Sequence, residues 1–86
     1  MNINELIAIV KKKLEKEIVI QDISVKDKSF LHKNHKGHQE GKFHLKIVIK
    51  SKELNELSKI NSTKKIYNIL DRELKEFIHS IQILLS

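Results

Sequence analysis

Apolar and polar positions change period three times along this chain, and each change marks a new kind of element. In "NINELIAIVKKKLEK", Ile3, Leu6, Ile7, Val10 and Leu14 recur at steps of three and four, the apolar stripe of an amphipathic helix. Asn2 stands where an N-cap belongs, and Glu5 three residues on completes a capping-box-like pair. From Ile18 the stretch "IVIQDISVKD" is rich in β-branched residues and alternates through Ile23 and Val25, which predicts a strand. The next strand, "KFHLKIVIK", alternates strictly. Phe43, Leu45, Ile47 and Ile49 share one face, and His44, Lys46, Val48 and Lys50 share the other.

"SKELNELSKI" then predicts a short helix, and "NSTKKIYNILDRELKEF" a longer one. In the longer stretch Ile66, Leu70, Leu74 and Phe77 recur at steps of four and three, with Asn61 or Ser62 as N-cap. The chain returns to alternation in "IHSIQILL", where Ile81, Ile83 and Leu85 fall on one side. The predicted order is α-β-β-α-α-β. Strands one and two are joined as an antiparallel pair. Strands two and three are joined through helices, a crossover that makes them parallel. Because only one face of strand two is apolar, the helices must cover one face of a three-stranded mixed sheet. The fold class is α+β, in two layers.

Composition narrows the chemistry. At 86 residues the chain has room for one core, so residues 1–86 are read as a single domain. No proline, low-complexity tract or internal repeat marks a boundary. The net charge is +6, almost all of it lysine, with Arg72 the only arginine. The lysines are spread along the chain, many of them near glutamates as on solvated helix faces, so the excess charge is first a soluble surface. Cysteine is absent, which excludes disulfides, cysteine nucleophiles and any metal site built on the chain's own thiolates. The apolar run "LIAIV" is far too short for a signal core or a membrane span, so a cytoplasmic protein that does not enter membranes is expected. No nucleophile elbow, P-loop or paired carboxylates appear, and the chain reads as non-enzymatic.

Chemistry-bearing residues gather in "HKNHKGHQEGKFH", residues 32–44, with four of the five histidines and both glycines. Histidine is the commonest protein metal ligand and titrates near neutral pH. His32, His35 and His38, at steps of three, make a weak zinc motif without an obvious fourth ligand. The remaining histidine, His79, follows the last predicted helix. On residues alone it suits a helix end, where an imidazole bonds terminal carbonyls. Strand parity places His79 with Ile81 and Ile83, and His44 on the opposite face. Joint ligation by His44 and His79 is therefore not expected unless the strand bends, and His44 is read as exposed.

Three stretches resemble the BolA/IbaG-like family. "DKSFLH" (27–32) resembles its D-x-S-x-x-H segment, and "FHLKIVIKS" (43–51) its H-F-x-V-x-I-V-S strand, with His44 and Ser51 in register. "IYNILDRELKEFIHSIQI" (66–83) resembles V-Y-x-x-L-x-x-E-L-x-x-x-I-H-A-L, with Tyr67, Leu70, Glu73, Leu74, Ile78 and His79 on motif positions. The resemblance spans nearly the whole chain. It implies a class II KH-like fold, in agreement with the element order read from the pattern. It also implies partnership with a monothiol glutaredoxin in iron–sulfur cluster assembly, trafficking or iron regulation. A [2Fe–2S] cluster would be shared with the glutaredoxin cysteine and glutathione. His79 is then one ligand and His32 the loop ligand, with His35 and His38 less favoured. The isolated chain would carry no cofactor and be a monomer.

The alternative is a KH-like DNA-binding regulator. The family commonly has R-H-R before the V-Y pair, where this chain has Ser62, Thr63 and Lys64. The turn "LSKINSTKK" has no G-x-x-G clamp, so Lys59, Lys64 and Lys65 would contact phosphates without reading sequence.

Overall fold

The computed structural model describes residues 2–28 and 43–86. Helix α1 (Ile3–Glu17) is capped as the sequence predicts. The Asn2 side chain accepts from Glu5 N at 2.8 Å, and its amide donates to the Glu5 carboxylate at 3.1 Å. The apolar stripe lands inward, with Leu6, Val10 and Leu14 fully buried. The chain turns extended at Ile18, the C-cap of α1, but strand β1 runs only over Asp22–Asp27. Ile18 is buried while Val19 is 65% exposed, so the β-branched run at 18–20 is a connector, shorter in strand than predicted.

Strand β2 (Phe43–Lys50) pairs antiparallel with β1 and parallel with β3 (Ile78–Leu85), in sheet order β1-β2-β3. This is the mixed three-stranded sheet expected from the alternation. Leu45, Ile47 and Ile49 of β2, with Val25 of β1, join Leu6, Val10, Leu14, Leu54 and Ile66 in one core. The helices thus pack on one sheet face. The other face carries Ser24 and Lys26, then Lys46, Val48 and Lys50, then Ser80, Gln82 and Leu84.

The helical region is cut more finely than the periodicity predicts. Helix α2 (Lys52–Asn55) is a single turn capped by Ser51, whose Oγ accepts from Leu54 N at 3.2 Å and donates to Val19 O at 2.7 Å. Helix α3 (Lys59–Ile69) starts from Ser58, so neither Asn61 nor Ser62 is the cap. Ser62 is instead fully buried, its hydroxyl donating to Leu54 O at 2.8 Å and fastening α3 to the end of α2. The predicted long helix breaks at Leu70 (φ −96°, ψ 16°), and α4 (Asp71–Glu76) follows. No glycine or proline lies at the break. Packing sets it: α3 rests on α1 and α2, whereas α4 rests on β3.

One ion pair reaches into this layer. Glu73 of α4 is 4% exposed, and its Oε2 lies 2.7 Å from Lys13 Nζ on α1. Its Oε1 is buried without a hydrogen-bond partner.

Candidate functional site: a histidine pair at a bulge in the sheet

The parity expectation for His44 and His79 does not hold. Their rings lie 4.9 Å apart, centroid to centroid, with planes at 53°. His44 is buried at 8% exposure rather than exposed, although it projects from the face away from the helices. His79 is exposed.

The cause is a shift in the parallel ladder. Phe43 pairs with Ile78, but His44 pairs with Ser80, so one step along β2 spans two along β3. His79 is the extra residue of a bulge, and strict alternation lapses there. Ile78 and Ile81 show the consequence, since both face the core although they are three residues apart. Without the extra residue His79 would follow the alternation that puts it on the face of Ile81. With it, His79 comes beside His44.

Backbone contacts hold the junction from both sides. Phe43 N donates to Phe77 O at 2.9 Å, fixing the end of α4 against the start of β2. Lys28 N donates to His44 O at 2.7 Å, fixing β1 on the other side. Nδ1 of His44 and Oγ of Ser80 share a hydrogen bond of 2.6 Å across the β2–β3 pair. That bond sets the imidazole's orientation.

Among the described residues no group of three or more His, Asp or Glu side chains is placed to hold a metal ion. The two imidazoles are thus a pair and, among the described residues, not part of a larger ligand cluster. His32, His35 and His38 lie outside the described residues. Of the basic trio, Lys59 and Lys64 are exposed on α3, whereas Lys65 is 3.1 Å from Glu53. No described helix is long and apolar enough to cross a membrane.

A two-layer α+β domain with a mixed β1-β2-β3 sheet is the arrangement the comparisons return. The family model for BolA-like proteins matches residues 14–86, and the chain belongs to the BolA-like family. Over 75 residues it is 29% identical to the "DNA-binding transcriptional regulator BolA" of Haemophilus influenzae, covering 87% of this chain and 70% of that one. The BolA domain of SufE1 from Arabidopsis thaliana superposes with a TM-score of 0.77 at 29% identity, over 92% of this chain and 87% of that domain. BolA1 from Mus musculus shares the fold, with a TM-score of 0.72 at 18% identity over 90% of this chain and 60% of that one.

Sequence reasoning identified His79 but set His44 aside. The signal it passed over is the spacing of Ile78 and Ile81. Two core residues three apart in one strand require an odd insertion, and His79 and Ser80 are the residues between them.

Proposed function

We propose that this protein is a partner of monothiol glutaredoxins in iron–sulfur cluster assembly, trafficking or iron regulation, contributing histidine ligands to a shared [2Fe–2S] cluster. The observation that carries the reading is the His44–His79 contact in a chain without cysteine. The donor set fits half of such a centre. Two imidazoles stand side by side, one of them exposed, and further ligands must come from another molecule. A glutaredoxin cysteine and glutathione supply thiolates, which this chain lacks. Histidine pairs on one iron raise the reduction potential of a cluster relative to all-cysteine ligation. The chain's own contribution is to hold the rings: the bulge presents His79, and Ser80 orients His44. No catalytic step is assigned to it.

His79 is the ligand both the resemblance and the geometry favour. For the second ligand the geometry favours His44, while the resemblance favours His32. Visible CD of each alanine variant mixed with the same cluster-loaded glutaredoxin separates them, after amide NMR has shown each variant folded. His79→Ala is expected to abolish the mixed-complex spectrum. A matching loss in His44→Ala with His32→Ala unaffected makes His44 the second ligand, and the reverse makes it His32. A folded His79→Ala with the wild-type cluster spectrum overturns the reading.

A second reading, as a DNA-binding regulator, draws on the name of the Haemophilus relative and on the exposed Lys59 and Lys64. Without a glycine clamp, binding to duplexes is expected to be weak, insensitive to sequence and steeply dependent on salt. A site held more than about a thousand-fold above random sequence at physiological salt would put this reading first.

A further inference from the structure

The sheet face away from the helices is not a neutral solvated surface. Lys26 of β1 lies directly opposite Lys46 of β2, and Gln82 of β3 follows Lys46 in the same row. Like charges directly opposed across an antiparallel pair destabilise a sheet. The ion pairs Lys13–Glu73, Lys65–Glu53, Arg72–Glu76 and Lys75–Asp71 sit on the helices, and neither Lys26 nor Lys46 joins them. On this face of the described strands the acid is Asp22, opposite Lys50 at the far end. Beside the lysine row runs a second one, Ser24, Val48 and Leu84, whose Val48 and Leu84 are apolar, with Leu84 41% exposed. On the other side Lys28, Lys46, His44, Ser80 and Gln82 line a shallow cleft of about 380 Å³ that leads to the histidine pair.

We propose that this face docks an acidic protein surface, whose carboxylates cover Lys26 and Lys46 and whose apolar side chains cover Val48 and Leu84. An apolar strip beside charged residues is the anatomy of a protein interface. A nucleic acid would find phosphate contacts here but no aromatic platform for its bases. The inference rests on the partner reading above and names the surface that partner meets. Opposite charge offsets the Lys26–Lys46 repulsion and speeds encounter, and it brings the partner's ligands to the end of the sheet where His44 and His79 stand.

The test is a titration of the labelled protein with a cluster-free monothiol glutaredoxin, a glutamate- and leucine-rich peptide, and a single-stranded oligonucleotide, followed by amide NMR. Shifts centred on Ser24, Lys26, Lys46, Val48, Gln82 and Leu84 with the glutaredoxin and the peptide are expected. Lys26→Glu with Lys46→Glu should weaken both by about ten-fold or more, as reversal of close interfacial charges does. Lys12→Glu with Lys16→Glu on exposed α1 positions makes the same change in net charge and should stay within about two-fold, as isolated surface charges do. Equal losses in the two double variants, shifts centred on α3, tighter binding of the oligonucleotide to the same amides, or no shift with either glutaredoxin or peptide would each overturn the proposal. Cluster ligation is read separately by visible CD. At saturating glutaredoxin the Lys26/Lys46 double variant should regain the cluster spectrum, whereas His79→Ala should bind cluster-free glutaredoxin normally and lack that spectrum.

Discussion

The Lys13–Glu73 pair should be far more sensitive to loss of the lysine than to loss of the acid. The two partners differ in exposure: the Lys13 side chain is 39% exposed and that of Glu73 only 5%. Lys13→Met strands a carboxylate between α1 and α4 whose Oε1 is already without a partner and whose Oε2 loses its ammonium. Removing one member of a buried pair costs about 3–5 kcal/mol, and leaving a buried polar atom unsatisfied about 1–3. Lys13 is itself half in water, which gives solvent a path to the abandoned oxygen, so roughly 2–4 kcal/mol is expected. Glu73→Gln keeps the shape of the buried side chain and releases an ammonium that can turn to solvent, at a cost of about 1 kcal/mol.

A domain of this size has a total stability on the order of 5–10 kcal/mol, so Lys13→Met removes a large share of it. Urea melts followed by far-UV CD give both differences, provided the slopes stay equal. The thermal midpoint should fall by roughly 4–8 °C for each kcal/mol lost. The double replacement Lys13→Met with Glu73→Leu substitutes apolar groups for both charges and should recover most of the Lys13→Met loss. Equal costs for the two single variants would refute the reasoning, because they would mean that the carboxylate is hydrated and that only the pair's attraction was removed.

Two further outcomes follow from the hydrogen-bond pattern. Ser51→Ala loses both the α2 cap and the link to Val19 O, and should cost about 1.5–3 kcal/mol, more than the roughly 1 kcal/mol of Ser62→Ala, which loses one bond to Leu54 O. Equal urea midpoints for the two would show that the Ser51 link to Val19 adds nothing. The Glu53–Lys65 pair, 36% and 39% exposed, should show a coupling below about 0.5 kcal/mol in a double-mutant cycle. A value above about 1 kcal/mol would mean that water is excluded from it.

What the sequence disclosed about the fold follows from how each element is stabilised. Strand β2 puts apolar residues on one face and mostly polar ones on the other, so its alternation was legible residue by residue. Helix α1 carries its stripe and its cap locally, and both were read correctly. The boundaries of α2, α3 and α4 were not legible. Leu70 is a good helix former inside a continuous helical period, and its break serves packing against β3 and α1 that the period does not encode. Ser58 was overlooked as a cap because the stretch around it already satisfied a helical period.

The histidine pair was hidden for a different reason. Alternation is the rule that made the sheet readable, and the pair exists only where that rule lapses. Had β3 kept its period through position 79, His79 would have pointed with Ile81 toward the helices, away from His44. The one-residue shift between Phe43–Ile78 and His44–Ser80 turns two separated imidazoles into neighbours. It also leaves Ile78, Ile81, Ile83 and Leu85 against the core, so the sheet keeps its apolar face. The shift lies between the last residue of α4 and the first regular pair of β3, where the ladder has not yet locked its register. Placing it there disturbs one pairing instead of a whole strand. A bulge in mid-strand would have sent the core residues beyond it to the open face. The resemblance named His79 from its motif, but the partner for that histidine within the chain came from the irregularity and not from the pattern.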